Sequence, residues 1–161
     1  EKAGCPWADR DGDGIPDKDD QCPDEKGTIA SNGCPDQPTD LINFIGSEQN
    51  RFLFSASSSK LSAENIETLN TLKVLMDKYP KASITVEGHA SSDGSTDYNQ
   101  KLSEQRAEAL KAHLISSGVS ADRIDTVGYG ETKPIEDNST VNGRKNNRRA
   151  KINRSAQLKM N

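Results

Sequence analysis

The chain has 161 residues, of which 31% are hydrophobic and only 4% aromatic, so any core that it buries must be modest. Residues 1–40 hold eleven acidic and four basic side chains, whereas residues 41–161 hold fourteen acidic and seventeen basic ones, and this asymmetry predicts two units with different roles. No stretch approaches the ~20 apolar residues of a membrane-spanning helix, and no signal-peptide pattern opens the chain.

The first residues look like the end of a repeat. A Gly-Cys-Pro triplet at positions 4–6 recurs at positions 33–35. We therefore expect the chain to be a fragment of a longer protein, separated from a leader and from an upstream segment that connects it to the outer membrane.

The three cysteines, Cys5, Cys22 and Cys34, lie in the first quarter of the chain, and each is followed by proline. Cysteines clustered in a segment too short and too polar to build a core favour a disulfide in an oxidising compartment. The pairing Cys22–Cys34 is preferred, which leaves Cys5 over, but the pairing Cys5–Cys22 stays open.

Residues 9–20 have the pattern of a twelve-residue loop that wraps a calcium ion in oxygen ligands. Carboxylates occupy loop positions one, three, five, nine and twelve, glycine occupies position six, and position seven can offer its backbone carbonyl. The predicted calcium ligands are Asp9, Asp11, Asp13, Ile15, Asp17 and Asp20. A solvated acidic linker is the alternative, but such a linker needs no glycine at a fixed place.

The flanks of this loop indicate the kind of calcium site. Cys5-Pro6 before the loop and Cys22-Pro23 after it leave no room for flanking helices, so the loop is not an EF-hand. Residues 4–36 instead resemble a thrombospondin type 3 repeat. The resemblance implies a spacer stiffened by calcium rather than a sensor, and the predicted first domain covers residues 1–38.

The second predicted domain covers residues 41–157 and alternates strands with helices. Its expected elements are a strand at 51–54, a helix from Ser62 to Tyr79-Pro80, a strand at 83–87, a helix at about 98–116 capped by Asp97 with Gln100, and strands at 123–129 and 148–153. This order predicts an α/β sandwich in which helices cover a small mixed sheet, with right-handed crossovers in its two long βα units.

Arg106 lies four residues from both Leu102 and Leu110, in the middle of the apolar stripe of the second long helix. A guanidinium at this place must extend to solvent, pair with a carboxylate or meet a ligand. If the pair is an internal salt bridge, the candidate partners are Asp93, Asp97 and Glu131.

A series of motifs within residues 44–154 resembles the signature of the OmpA-like C-terminal domain. They read ITVEGH at 84–89, GS at 94–95, YNQ at 98–100, LS at 102–103, RA at 106–107, GYGE at 128–131, GR at 143–144 and NRR at 147–149. The resemblance implies a non-enzymatic domain on the periplasmic side of the outer membrane of a Gram-negative bacterium. Such a domain binds the diaminopimelate-containing peptide stem of peptidoglycan without covalent chemistry and anchors the membrane to the cell wall.

The resemblance also implies roles for individual residues. Arg106 matches the arginine that grips a carboxylate of diaminopimelate, a task that suits a planar guanidinium. Gly88 matches the glycine that ends a strand before the ligand loop, and Asn99 matches the asparagine that orders this loop.

Two positions of the expected binding site depart from the family pattern. Ser91 replaces the aspartate that meets the ammonium group of the ligand, and Ser57 replaces an asparagine in the first strand-to-helix loop. A serine can hydrogen-bond an ammonium group but supplies no charge, so either Asp93 compensates for the missing carboxylate or the affinity for the ligand is weak.

Three other functions compete with this interpretation. His89, Ser91 and Asp93 suggest a hydrolase, but neighbours in sequence do not form a catalytic triad, and no Gly-x-Ser-x-Gly motif is present. The basic run at 144–154 suggests nucleic-acid binding, but it lacks the aromatic residues needed for base stacking. The third is a periplasmic scaffold that binds a protein partner, and the sequence leaves open whether the domain forms a homodimer.

Overall fold

A computed structural model describes residues 8–35 and 38–155. The chain divides into two compact units, and the division falls between Pro38 and Thr39. None of the helices in the described part of the chain combines the length and the hydrophobicity that crossing a membrane requires.

The first unit has little regular secondary structure and is held by a disulfide. Within residues 8–35, the only regular element is a 3-10 turn at Ile29–Ser31. Cys22 and Cys34 form the expected disulfide, with an S–S distance of 2.09 Å and Cα atoms 5.0 Å apart. Because Cys22 is used in this bond, the Cys5–Cys22 alternative is wrong; Cys5 lies outside the described residues.

The second unit consists of helices packed on a four-stranded sheet. The elements in residues 38–155 are α1 (Thr39–Ile45), β1 (Phe52–Leu53), α2 (Ala63–Lys78), β2 (Ile84–Gly88), α3 (Thr96–Ser116), a 3-10 turn (Ala121–Arg123), β3 (Ile124–Gly128), α4 (Val141–Asn147) and β4 (Arg149–Arg154). The strand order is β1-β4-β2-β3, in which β2 pairs parallel with β3 and β4 pairs antiparallel with both β1 and β2. The expected small mixed sheet covered by helices is confirmed.

Local signals explain where α2 begins and ends. The Ser62 Oγ accepts the Asn65 N–H at 3.1 Å and so caps the first turn, in which Glu64 complements the helix dipole. The helix ends at Lys78, since the residue before Pro80 disfavours the helical conformation. This helix therefore has the ends that the sequence predicts.

The core lies on the face of the sheet that α2 and α3 cover. Ile84, Val86 and Ile152 point into it and are fully buried, and they alternate with strand residues on the opposite face. Gly88 continues the inward-facing row, and a Cβ atom at this position would lie 1.7 Å from the Ser103 carbonyl oxygen of α3. The absence of a side chain therefore allows α3 to pack directly on the end of β2.

One local expectation is wrong, and two short helices were missed. The N-cap of α3 is Ser95 rather than Asp97, because the Ser95 Oγ accepts the Tyr98 N–H at 3.2 Å and Asp97 already lies in the first helical turn. The short helices α1 and α4 were not predicted. Each has only seven residues, too few to show a hydrophobic period, and α4 contains Gly143, a poor helix former.

The contact between α3 and β2 yields a prediction. We expect Gly88→Ala to lower the free energy of unfolding by at least about 2 kcal/mol, since the added methyl group would overlap backbone atoms of α3. Gly46→Ala is the control, because a Cβ atom there would have its nearest neighbour at 3.6 Å. Urea denaturation followed by circular dichroism measures both changes, and equal stabilities of the two variants would contradict the packing described.

Candidate functional site

Arg106 is buried in the middle of α3, as the hydrophobic period of this helix predicts. Its side chain has 0% relative exposure, and the neighbouring Leu102 and Leu110 on the same face are also buried. Charged side chains are seldom fully buried unless they are paired. The partners of Arg106 therefore decide what it does.

The Arg106 guanidinium bonds to three backbone carbonyl oxygens from two segments. Its Nε donates to Ser58 at 2.9 Å, its Nη1 to His89 at 2.9 Å and its Nη2 to Ser55 at 3.1 Å. The ring of Phe54 lies 5.3 Å from the guanidinium carbon, at cation–π distance. None of these partners is charged.

The alternative of an internal salt bridge from Arg106 to a nearby carboxylate is wrong. Asp93 instead accepts the Ser91 hydroxyl, and Glu131 accepts the Thr96 hydroxyl at 3.1 Å. No hydrogen bond or ion pair joins Asp97 to Arg106 in the described residues. The carbonyl groups satisfy N–H donors but carry no negative charge, so the buried cation has no anionic partner within residues 8–35 and 38–155.

The electrostatic environment of Arg106 agrees with this geometry. Burial, together with the charge of Arg148, lowers the pKa of Arg106 to about 10. The side chain is still cationic at neutral pH. A cation at low dielectric without a counter-ion attracts an anion strongly, and its planar fork suits a carboxylate.

Asn99 adds a second buried donor on the same face of α3, two turns before Arg106. It has 1% relative exposure, and its Nδ2 group has no hydrogen-bond partner in the part of the chain that the structure describes. A buried amide without a partner is unfavourable by about 1–3 kcal/mol. Asn99 is therefore able to donate to a ligand that enters beside α3.

The other predicted ligand-binding residues lie in the two loops next to this arginine. Ser91 is buried two residues after His89, and its Oγ donates to the Asp93 Oδ2 at 3.0 Å. Asp93 is exposed, and its other carboxylate oxygen lies 3.9 Å from the Arg144 Nε. Ser57 is exposed with a φ angle of +54°, between the two serines whose carbonyls hold Arg106.

His89 forms a link that the sequence did not reveal. Its carbonyl accepts Arg106, while its ring stacks on Tyr129 with centroids 5.4 Å apart. Burial and the positive charges of Arg149, Lys133 and Lys151 lower the pKa of His89 to about 3. The imidazole is therefore neutral at ordinary pH. The Ser91 hydroxyl bonds to Asp93 rather than to the imidazole, so these residues do not form a serine–histidine pair.

The acidic loop brings three of its predicted calcium ligands together. Asp9, Asp11 and Asp13 each place one carboxylate oxygen within 4.8 Å of the others. One oxygen of Asp11 and one oxygen of Asp20 are buried without a hydrogen-bond partner in the described residues. Desolvation and the charges of Asp13 and Asp20 raise the pKa of Asp11. Unpartnered oxygens and mutual repulsion are the properties that a hard cation would relieve.

The remaining predicted calcium ligands are placed differently. Asp17 accepts the backbone N–H and the Nε of Arg10, both at 2.9 Å, so its carboxylate is engaged outside the group of three. The Ile15 N–H donates to the Asp13 Oδ1 at 2.8 Å. The residues present thus fit a calcium ion best around Asp11, with Asp20 as a neighbour.

A comparison with known families decides the identity of the second unit. The sequence pattern described as OmpA family matches residues 53–148, which is more than half of the chain. The chain belongs to the OmpA family. This membership places it at the outer membrane of a Gram-negative bacterium, on the periplasmic side, as expected.

Several curated proteins are similar in sequence to this OmpA-family chain. Outer membrane porin F of Pseudomonas aeruginosa is 39% identical over 155 residues, which cover 94% of the chain and 43% of the porin. The probable lipoprotein YiaD of Escherichia coli is 39% identical over 110 residues, which cover 68% of the chain and 50% of that protein. A peptidoglycan-associated lipoprotein of Agrobacterium fabrum is 34% identical over 121 residues, which cover 75% of the chain and 67% of that protein. The chain thus spans half or less of the first two of these relatives.

Solved structures with the same fold agree with the family assignment. The peptidoglycan-associated lipoprotein from Burkholderia pseudomallei aligns with a TM-score of 0.64 and 24% identity, over 66% of this chain and 90% of that one. The cell wall anchor of the T6SS from Pseudomonas aeruginosa aligns with a TM-score of 0.54 and 29% identity, over 62% of this chain and 72% of that one. At 24% identity, the likeness to the Burkholderia pseudomallei structure shows the fold alone.

The low pKa of His89 yields a prediction for this OmpA-family domain. Between pH 6.5 and about 3, His89 is protonated in the unfolded state but stays neutral in the folded state, because folding lowers its pKa to about 3. As the pH falls from 6.5 towards 3, this residue should therefore remove about 1.4 kcal/mol of stability per pH unit. Urea denaturation of the wild type and of His89→Gln at pH 7.5 and pH 5 measures this loss of stability.

We expect the stability of the wild type relative to His89→Gln to fall by about 2 kcal/mol between these two pH values. His113→Gln is the control, since His113 lies half-buried on α3, where its ring approaches Asn70 at 3.4 Å. Parallel pH profiles of the wild type and His89→Gln would show that His89 takes up its proton in the folded state.

Proposed function

We propose that residues 39–155 bind peptidoglycan non-covalently, with Arg106 as the anchor for a carboxylate of diaminopimelate in the peptide stem. The observation that carries this proposal is the buried guanidinium without an anionic partner among the described residues. Relatives from Agrobacterium fabrum and Rhizobium meliloti, among others, are named peptidoglycan-associated lipoprotein, and a related structure is described as a cell wall anchor. In this proposal the chain links the wall to the outer membrane.

The geometry indicates how a carboxylate reaches Arg106. The side chain has no exposed surface, but two of its three carbonyl partners, Ser55 and Ser58, belong to a segment that is exposed or half-buried. Displacement of this segment frees two edges of the guanidinium fork for the ligand. The exchange replaces neutral acceptors by a charged one, which gives the buried guanidinium the counter-ion that it lacks.

Other groups around Arg106 supply the remaining contacts. The unpartnered Nδ2 of Asn99 donates a further hydrogen bond to the ligand. The ammonium group of diaminopimelate meets the Ser91 hydroxyl and the exposed Asp93 carboxylate, which are joined at 3.0 Å. Asp93 thus supplies the negative charge that Ser91 lacks.

A pull-down with purified sacculi tests this proposal. We expect Arg106→Lys to lower the amount of bound domain at least about ten-fold, because a lysine keeps the charge but loses the bidentate fork. Circular dichroism must show that the variant is folded. Binding of Arg106→Lys at the wild-type level would contradict a role for Arg106, whereas failure of the wild type to bind sacculi would favour the scaffold alternative, in which a protein is the partner.

Arg123 offers a matched control for this experiment. Its guanidinium also donates to three backbone carbonyl oxygens, those of Met76, Tyr79 and Ala82, each at 2.8 Å. Unlike Arg106, it has an acidic neighbour, since the charge of Asp77 favours its cationic form. We expect Arg123→Lys to lower stability and to leave binding to sacculi unchanged.

We propose in addition that the acidic loop at residues 9–20 binds calcium and stiffens the first unit as a spacer. The buried, unpartnered oxygens of Asp11 and Asp20 support this role, since a cation would supply their missing contacts. The ion would sit among Asp9, Asp11 and Asp13. Its relation to a thrombospondin type 3 repeat is part of the same proposal.

Calorimetric titration of the calcium-free chain with calcium tests whether the loop at residues 9–20 binds the ion. We expect saturable binding that Asp11→Asn weakens at least about ten-fold, because the amide lacks the charge that holds the ion. Asp19→Asn is the control within the same loop, since Asp19 is exposed and lies 3.3 Å from Lys18.

Removal of calcium with a chelator tests whether only the first unit responds to the ion. A chelator should alter amide signals of residues 8–35 and leave the helical circular dichroism of α2 and α3 unchanged. Equal calcium affinities of Asp11→Asn and Asp19→Asn would contradict the role of Asp11, and the absence of saturable calcium binding would assign the loop to a solvated acidic linker.

A further inference from the structure

A cavity of about 320 Å³ lies in the second unit, away from Arg106. It is open to solvent on one side and is lined by the end of α1, the loop from α1 to β1, the strand β4 and the loop after β3. The lining residues used below are Glu48, Asn50, Arg51, Ile135, Arg149 and Lys151.

The cavity is on the opposite face of the sheet from α3. Ala150 pairs with Gly88 in the register of β4 and β2, and Gly88 faces α3. Because successive strand residues point to opposite faces, Arg149 and Lys151 point away from α3. The three carbonyl groups that hold Arg106 come from residues that do not line the cavity. The two sites are therefore separate.

Arg149 is the buried polar group of this cavity. Its relative exposure is 6%, and its Nη2 donates to the Lys133 carbonyl oxygen at 3.2 Å. Its Nη1 is buried and has no hydrogen-bond partner in the described residues. Buried guanidinium donors are nearly always satisfied, so this nitrogen indicates an acceptor that enters from the cavity.

The charges around the cavity are mainly positive. Arg51 and Lys151 are exposed cations that line it with Arg149, whereas Glu48 is its one acidic lining residue. Burial lowers the pKa of Arg149, the charge of Arg51 lowers it further, and the charge of Glu87 opposes this shift. Glu87 lies opposite Lys151 on β2 and accepts the Asn153 side chain, but it does not line the cavity.

The walls of the cavity are fixed before any ligand arrives. The Asn50 side chain donates to the Ile45 carbonyl at 2.8 Å and to the Ile152 carbonyl at 2.7 Å, and it accepts the Ile152 N–H at 2.7 Å. These bonds tie the loop before β1 to β4. On the other side, the Ile135 N–H donates to the Asn147 Oδ1 at 2.8 Å. A preformed cavity reduces the loss of conformational entropy on binding.

We propose that this cavity binds a phosphate monoester through Arg149, Arg51 and Lys151. Three cations and one carboxylate leave a net charge of two at the lining, and a phosphate monoester carries about −1.5 to −2 at neutral pH with three acceptor oxygens. A carboxylate carries a single negative charge and would leave one of the two positive charges unmatched. The Nη1 of Arg149 donates to one phosphate oxygen, and the half-exposed Ile135 contacts the organic part of the ligand.

Titration with inorganic phosphate, followed by amide NMR at constant ionic strength, tests the proposal. We expect saturable shifts at Arg51, Ile135 and Lys151, and none of comparable size with acetate. The double variant Arg51→Gln/Lys151→Gln changes exposed side chains only, so it should stay folded and weaken phosphate binding at least about ten-fold.

Arg154→Gln is the control, because Arg154 is an exposed cation of β4 that does not line the cavity. Equal loss of phosphate binding in Arg154→Gln and in the double variant would overturn the proposal, as would equal shifts with acetate. Arg149→Gln should abolish the cavity shifts, and its fold is checked by circular dichroism.

Vesicles distinguish the source of the phosphate. Flotation with vesicles that contain phosphatidic acid, lost in the double variant, assigns the cavity to a lipid headgroup. Saturable binding of inorganic phosphate without flotation assigns it to a soluble phosphate monoester. If the chain binds neither, the proposal is wrong, and this outcome has no bearing on binding to sacculi at Arg106.

Discussion

The second unit depends on the way in which the Arg106 guanidinium is held inside the protein. One side chain from the middle of α3 reaches the carbonyl oxygens of Ser55 and Ser58 after β1 and that of His89 after β2. It can do so because Gly88 lets α3 lie directly on the strand. Removal of the guanidinium would leave three carbonyl groups without this donor, so the same residue serves the fold and the proposed ligand.

Five arginines of this unit are buried or half-buried, and for three of them, Arg106, Arg123 and Arg149, the partners distinguish their roles. Arg123 donates to three carbonyl oxygens and has Asp77 as an acidic neighbour, so a structural role explains its burial without a ligand. Arg106 has carbonyl partners but no anion in the described chain, and Arg149 has a buried nitrogen without any partner there. Unbalanced charge or an unmade hydrogen bond, rather than burial alone, thus indicates a ligand at Arg106 and at Arg149.

Much of the fold could be predicted because its signals are local. Ser62 as a cap, Pro80 as a stop and the β-branched run before Gly88 each act over a few residues. The partners of Arg106 could not be predicted, since carbonyl groups belong to every residue and only the fold selects among them. The cavity at Arg149 was equally hidden, because Arg51 and Arg149 are almost one hundred positions apart and meet only through the pairing of β1 with β4.

The central claim is that Arg106 is a buried cation whose missing anion is the carboxylate of diaminopimelate. The most direct test is the NMR signal of the Arg106 Nε–H group during a titration with meso-diaminopimelate, with the Arg123 Nε–H group as an internal reference. The account predicts a saturable shift at Arg106 and none at Arg123, with loss of the hydrogen bond to the Ser58 carbonyl. An unchanged Arg106 signal, or equal shifts of both arginines, would contradict it.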